Sequence, residues 1–276
     1  MKSNAFAYAR ATTVDEALRL HAEAGDDARY LAGGQSLLAA LNFRLDEPST
    51  LIDIGPIAQL RGVTLTQNRL RIGALTCHAD VLTNPLIAHH LPLMTQAMGY
   101  VAHPAIRNRG TFGGSIALAD PAAEMPACCL ALGAAMVVHG PSGERVISAD
   151  DFFLGLYETA LAPGELLVAV EIPLPAAGSR HAFGEFARRH GDYAMAGLAL
   201  MRGPEGTRVV YFGLSDRPVR SLAAEAALSA GEDCVELAAE GLNIYGDLNA
   251  SAATKRHYAR VLLRRALSSL ESGETR

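Results

Sequence analysis

The stretch Thr111-Phe112-Gly113-Gly114-Ser115 decides how the fold of this 276-residue chain is interpreted. An earlier stretch, Ala32-Gly33-Gly34-Gln35-Ser36, also has paired glycines with a hydroxyl residue nearby. Paired glycines let the backbone approach an anion closely and direct N–H groups at it. Each stretch alone could be only a tight turn, because short glycine motifs produce many false matches. Two of them in one chain indicate a ligand with two phosphates, held from both sides.

The residues around the first glycine pair predict a strand, a turn and a helix. Residues 28–31 form a short strand before the glycines, and residues 36–41 are helical in character. This order places a helix N-terminus where a phosphate can bind. It is not a Rossmann fingerprint, since no G-x-G-x-x-G is present. With a helix from Thr13 to Gly25 and a strand at 51–54, the first 55 residues predict a small α/β unit.

The rest of the chain predicts two further regions. Hairpins at 63–73 and 135–148, several short helices and a strand at 165–172 follow the first unit. Residues 173–179 are rich in Pro, Gly and Ala, and we place a domain boundary there. Beyond it, strands precede helices, which is typical of an α+β domain. The three predicted helices of that domain span residues 221–230, 234–242 and 254–270.

Composition narrows the function classes. The net charge is −5 and no basic patch stands out, so a nucleic-acid partner is not expected. The most apolar run, residues 127–138, is too short to span a bilayer, and the N-terminus lacks a signal peptide. We therefore expect a cytoplasmic location without a membrane span. The four cysteines form no Cys-x-x-Cys pair, so neither a metal site nor an iron–sulfur cluster is expected in this chain.

Three separated motifs resemble one family over nearly the whole chain. Residues 32–37, with Asn42-Phe43-Arg44 downstream, resemble the first flavin loop of the FAD-binding medium subunits of molybdenum hydroxylases. Residues 106–115, followed by Ala119-Asp120-Pro121, resemble the second loop. Residues 188–194 are similar to the start of the family's C-terminal domain. The group includes carbon monoxide dehydrogenase, xanthine dehydrogenase-type enzymes and dehydrogenases of N-heterocycles.

The resemblance implies a fold and a set of partners. Residues 1–176 would form an FAD-binding domain of the vanillyl-alcohol-oxidase-like type, with subdomains at about 1–55 and 56–176. Residues 177–276 would form a C-terminal domain with a small antiparallel sheet and helices. The partners would be a large subunit with the molybdenum cofactor and a small subunit with two [2Fe–2S] clusters, in a heterotrimer that is usually doubled.

The resemblance also implies an FAD site made from both glycine stretches and their surroundings. The first loop would contribute Leu31, Ala32, Gly33, Gly34, Gln35, Ser36 and Leu37. The second would contribute Thr111, Gly113, Gly114 and Ser115. Further contacts would come from Val101, Glu124, Leu167, Arg188, Arg189 and Tyr193.

Several of these residues have a plainer interpretation. Glu124 could bind a ribose hydroxyl, or it could be a first-turn charge favoured by the helix dipole, with Asp120 as the cap. Val101 and Leu167 could be ordinary core residues. Arg188 and Arg189 could stabilise an anionic reduced flavin, or lie at a strand end or partner interface.

The implied function is electron transfer, from [2Fe–2S] clusters through FAD to an external acceptor such as a quinone, a cytochrome, oxygen or NAD. No catalytic acid, base or nucleophile is visible in this chain, so we expect substrate chemistry on another subunit. Family members with a lysine shortly before the paired arginines differ from this chain, which reads Phe183-Gly184-Glu185-Phe186-Ala187. Two alternatives are a self-sufficient flavin-dependent oxidoreductase of the same fold and a non-catalytic nucleotide-binding assembly subunit.

Overall fold

The computed structural model describes residues 2–272, and its first unit is a three-stranded parallel sheet with two helices. The central strand, third in the chain, pairs with both others. Thr13 caps the first helix by accepting from the Glu16 N–H, while the Glu16 carboxylate accepts from Thr12. The elements are β1 (Ala7–Arg10), α1 (Val14–Ala24), β2 (Ala28–Leu31), α2 (Leu37–Phe43) and β3 (Thr50–Asp53).

The second unit is built on a five-stranded antiparallel sheet of order β4-β5-β10-β6-β7. Short helices connect its hairpins, and a small separate hairpin, β8-β9, projects before the last strand. The strands are β4 (Val63–Thr66), β5 (Arg69–Gly73), β6 (Ala135–Gly140), β7 (Gly143–Ser148), β8 (Phe153–Gly155), β9 (Glu158–Thr159) and β10 (Leu166–Pro173). The helices are α3 (His78–Thr83), α4 (Pro85–His90), α5 (Pro92–Met98), α6 (Pro104–Arg107), α7 (Phe112–Leu118), α8 (Glu124–Ala131) and α9 (Ala149–Phe152).

The C-terminal unit is a four-stranded antiparallel sheet with one face against a long helix. Its elements are β11 (Arg180–Phe186), β12 (Ala196–Gly203), β13 (Gly206–Phe212), β14 (Val219–Arg220), α10 (Leu222–Ala230) and α11 (Ala252–Ser272). Side chains alternate along β13, so that Val209 and Tyr211 join the core under α11. Val210 and Phe212 join the core of the second unit, beside α8. The two faces of this sheet therefore belong to two different hydrophobic cores.

The structure confirms the α+β class, and two of its differences from the sequence prediction concern residues 234–242 and 112–118. Residues 234–242 are not a helix, because their N–H groups bond carbonyls three residues back, as from Leu237 to Cys234 and from Glu240 to Leu237. Residues 112–118 are a helix, α7, although paired glycines disfavour one. Packing explains α7: a Cβ on Gly113 would lie 2.4 Å from the Ala74 Cβ, so only glycine lets α7 sit this close to the end of β5.

Candidate functional site

The two glycine stretches touch each other. A Cβ on Gly33 would lie 2.2 Å from the Arg109 carbonyl oxygen and 2.9 Å from the Gly110 Cα. On the other side, a Cβ on Gly114 would lie 4.0 Å from the Ala32 Cβ. The loop after β2 therefore packs against the residues that lead into α7.

The first stretch presents a row of unused donors. Within residues 2–272, the backbone N–H groups of residues 33–37 donate no hydrogen bond to another protein group. Gly34 has a φ of 71°, in the left-handed region that glycine adopts readily, and this turns the chain into α2. Successive N–H groups in such a turn form a concave anion site. Leu31 ends β2 before the row, and Leu37 begins α2 after it.

The second stretch differs, because four of its five N–H groups are already used. The Phe112 and Gly113 N–H groups donate to carbonyls in the loop after β5, at 2.8 Å each. Thr111 caps α7 by accepting from the Gly114 N–H at 3.1 Å, and the Ser115 N–H donates to the Thr111 carbonyl at 3.1 Å. The expectation that both stretches offer N–H groups therefore holds for the first alone. The second supplies a rigid helix start and its hydroxyls.

Side-chain donors complete this part of the site. Within the described chain, the Ser36 and Ser115 hydroxyls make no hydrogen bond, and Ser36 does not cap α2. The Gln35 amide donates to the Gly33 carbonyl at 3.1 Å, which braces the loop. Both hydroxyls are thus available to a ligand, at positions where the sequence predicted them.

An acidic wall lies beside the second stretch. Glu124 begins α8, is 8% exposed, and has a pKa raised to about 7 by burial, with the Asp120 charge adding to the effect. Asp120 does not cap α8; its Oδ1 accepts from the Ala122 N–H at 2.9 Å. Burial raises the pKa of Glu185 on β11 to about 8, and the Glu124 charge adds to this effect. The Glu185 Oε2 is buried without a hydrogen-bond partner within residues 2–272.

Two tyrosines border this wall. Tyr157, at the tip of the β8-β9 hairpin, donates its hydroxyl to the Asp120 Oδ2 at 3.3 Å. Desolvation raises the pKa of Tyr193, and the charges of Asp120 and Glu124 raise it further. Sequence reasoning missed Tyr157 and Glu185, because neither lies in a glycine motif and only the tertiary fold brings them to Asp120 and Glu124.

The remaining predicted residues lie in different settings. Leu167 is 3% exposed inside β10, opposite Val138, and Val101 packs against the same core from a half-buried position. Arg188 and Arg189 are exposed and pair with Asp192, at 3.2 and 3.8 Å. These arginines therefore neutralise a neighbour on their own loop rather than the acidic wall.

The arrangement fits a dinucleotide with a diphosphate. The loop after β2 has unused N–H groups, and an anion bound there would satisfy donors that the protein leaves open. The acidic wall accepts hydrogen bonds and would suit sugar hydroxyls. Among residues 2–272, no group of three or more His, Cys, Asp or Glu side chains could hold a metal ion. No helix in that range is long and apolar enough to cross a membrane.

Comparisons with known proteins identify a family whose members bind FAD. Residues 4–175 match the family model described as the FAD binding domain in molybdopterin dehydrogenase. The chain is 46% identical to the 6-hydroxypseudooxynicotine dehydrogenase complex subunit alpha of Paenarthrobacter nicotinovorans, over 72% of this chain and 67% of that protein. It is 36% identical to the nicotine 6-hydroxylase medium subunit of the same organism, over 97% and 98%.

A solved structure extends the likeness to the whole fold. Carbon monoxide dehydrogenase from Hydrogenophaga pseudoflava contains a chain that superposes with a TM-score of 0.94 at 36% identity, covering 99% of both chains. The similarity therefore includes the C-terminal unit, which the family model does not reach. The chain belongs to the FAD-binding medium subunits of the molybdenum hydroxylases, the family of xanthine and carbon monoxide dehydrogenases, and is a subunit of an oxidoreductase.

Proposed function

We propose that this chain is the electron-transfer subunit of a molybdenum hydroxylase complex. It would receive electrons from [2Fe–2S] clusters of a small partner subunit and deliver them to an external acceptor. A large partner subunit would hold the molybdenum cofactor and the substrate. Bound FAD supplies the chemistry for this role, because a flavin accepts electrons singly and can release them in pairs.

One observation carries the assignment of the FAD site: the row of unused N–H groups at residues 33–37, fixed against the second stretch. The Gly33 contact with the Arg109 carbonyl sets the position of that row. We propose that it binds the diphosphate, and that Ser36 and Ser115 add hydroxyl donors. Gly114 lies at the junction with Ala32, so the second stretch supports the first rather than duplicating it.

The other residues would hold the organic parts of the ligand. Glu124 is buried and, among the described residues, forms no ion pair, so it is suited to accept from a ribose hydroxyl. Val101 and Leu167 would supply apolar contacts, and Tyr193 would lie beside a ring. Arg188 and Arg189 lie on an exposed loop, which favours a role at a partner interface over direct charge stabilisation.

The three larger sheets support a division of the chain into domains. We propose that residues 1–176 form the FAD-binding domain, with subdomains of the vanillyl-alcohol-oxidase-like type dividing near residue 55. Residues 177–276 would form the C-terminal domain. The doubled heterotrimer and its external acceptor rest on the resemblance alone.

Two experiments test the function. Purified chain should bind FAD and turn yellow, yet remain inert with candidate substrates until partner subunits are added. Substrate turnover by the chain alone would favour a self-sufficient oxidoreductase, and failure to bind FAD would favour an assembly subunit. Gly114→Asp should weaken FAD binding more than Gly114→Asn, because both crowd Thr111 but only the carboxylate repels a diphosphate. Equal FAD affinity in these two variants would contradict the loop assignment.

A further inference from the structure

The tip of the β8-β9 hairpin has an unusual backbone. Gly155 pairs with Glu158 across a tight turn, and Tyr157 is the second of the two turn residues. Its φ is 54°, in the left-handed region where glycine or asparagine is normally found. A bulky residue held in this region is strained, and such residues concentrate at ligand sites.

Three contacts hold the hairpin in this conformation. The Tyr157 hydroxyl donates to Asp120, which lies shortly before α8. The Arg217 guanidinium, from the C-terminal unit, donates to the Leu154 carbonyl on β8. Strand β9 packs against α7, the helix that begins at the second glycine stretch. The hairpin thus bridges the second stretch and the C-terminal unit, and the strained turn is fixed from several sides.

For ligand binding, the position of the Tyr157 ring matters more than its hydrogen bond to Asp120. The residue is 56% exposed, so a tyrosine at this turn gains little core packing in return for its strain. The Tyr157 hydroxyl reaches Asp120, and the charges of Asp120 and Glu124 raise the pKa of Tyr193, so both tyrosines border the wall of Asp120 and Glu124. An aromatic side chain here gives a planar ligand an apolar surface next to hydrogen-bond acceptors.

We propose that Tyr157 is a ligand-contacting residue, whose side chain packs against a planar ring of the bound dinucleotide beside Tyr193. The proposal rests on the proposed FAD site, because the hairpin is placed by α7 and Asp120. The shared chemistry is an aromatic heterocycle, which can be the flavin or the adenine. The strained turn is then the means by which this ring is placed at the site rather than in solvent.

The test uses the full chain freed of flavin, with FAD, riboflavin and ADP as separate probes. Tyr157→Asn removes the ring, while asparagine tolerates the left-handed backbone and preserves the hairpin. Tyr157→Phe keeps the ring and removes the bond to Asp120. Leu156→Ala is the matched control, because it truncates the neighbouring exposed side chain of the same turn. Thermal unfolding without ligand checks that each variant is folded.

Tyr157→Asn should weaken FAD binding by about tenfold, in the range of one aromatic stacking contact. Tyr157→Phe and Leu156→Ala should change it by less than about threefold, since both retain the ring. A parallel loss of riboflavin binding identifies the flavin as the partner, and a loss of ADP binding identifies the adenine. Unchanged FAD affinity in Tyr157→Asn, with wild-type binding intact, overturns this inference alone. A wild-type chain that binds no FAD overturns the proposed function and this inference together.

Discussion

Replacing Gly33 by alanine perturbs the contact that joins the two glycine stretches. The new Cβ would lie 2.2 Å from the Arg109 carbonyl oxygen, whereas ordinary contacts begin at 3.4 Å. The neighbouring atoms are backbone, so no side-chain rotation relieves the clash. The loops must separate by roughly 1 Å, and overpacking of this kind costs about 1–3 kcal/mol. If the separation moves the N–H row away from the diphosphate, the dissociation constant for FAD should rise about 5- to 150-fold.

The assay is a titration of the flavin-free chain with FAD, followed by flavin fluorescence, together with thermal unfolding at a fixed FAD concentration. At a concentration about 100 times the wild-type dissociation constant, FAD stabilises the chain by about 2.7 kcal/mol. A variant that binds about 30-fold more weakly would keep only about 0.9 kcal/mol of that stabilisation. Gly184→Ala is the matched control, because its Cβ meets only the Leu262 side chain, at 3.5 Å. A folded Gly33→Ala chain that binds FAD like wild type would refute the reasoning.

Three further predictions concern stability and reactivity. The pKa of Glu124 is raised in the folded chain, so the protein should lose stability as the pH rises from about 4.5 to 7. In urea unfolding, Glu124→Gln should show a flatter dependence of stability on pH than wild type. An unchanged pH dependence in this variant would contradict the burial of Glu124. Lys255 is buried, donates to the Gly213 carbonyl and pairs with Asp247, each at 2.6 Å. In urea unfolding, Lys255→Met should therefore lower the free energy of unfolding by about 1–3 kcal/mol. An unchanged free energy would show that neither bond contributes to stability. All four cysteines are free, and Cys77 is the most exposed of them. A thiol reagent should therefore modify Cys77 first in the native protein. Burial raises the pKa of Cys128, so early modification of Cys128 would contradict the packing of α8.

Much of the fold could be predicted from local patterns. The capping residues around Thr13, the glycine after β2 and the hairpin turns each specify structure within a few residues. Helix α7 could not be predicted that way, because the packing of Gly113 on Ala74 overrides its low helix propensity. The prediction of a helix over residues 234–242 was wrong, because this segment folds as successive turns.

Likewise, only part of the candidate site could be predicted from the sequence. Both glycine stretches carry sequence signals, and their pairing in one chain predicted a single ligand held from both sides. The sequence could not show that the N–H groups are open in the first stretch and used in the second, because this depends on carbonyls contributed by the loop after β5. Tyr157 and Glu185 carry no local signal, and they reach Asp120 and Glu124 only through the docking of the β8-β9 hairpin and the C-terminal sheet.

The contribution of the C-terminal sheet to two hydrophobic cores has a consequence for how the protein unfolds. Phe212 on one face and Tyr211 on the other belong to separate cores, so neither core is complete without β13. A chain ending at residue 176 would expose α8 and lose Glu185 from the acidic wall. Denaturation should therefore be cooperative across the proposed boundary, and the C-terminal unit should not behave as an independent module when exchanged between relatives.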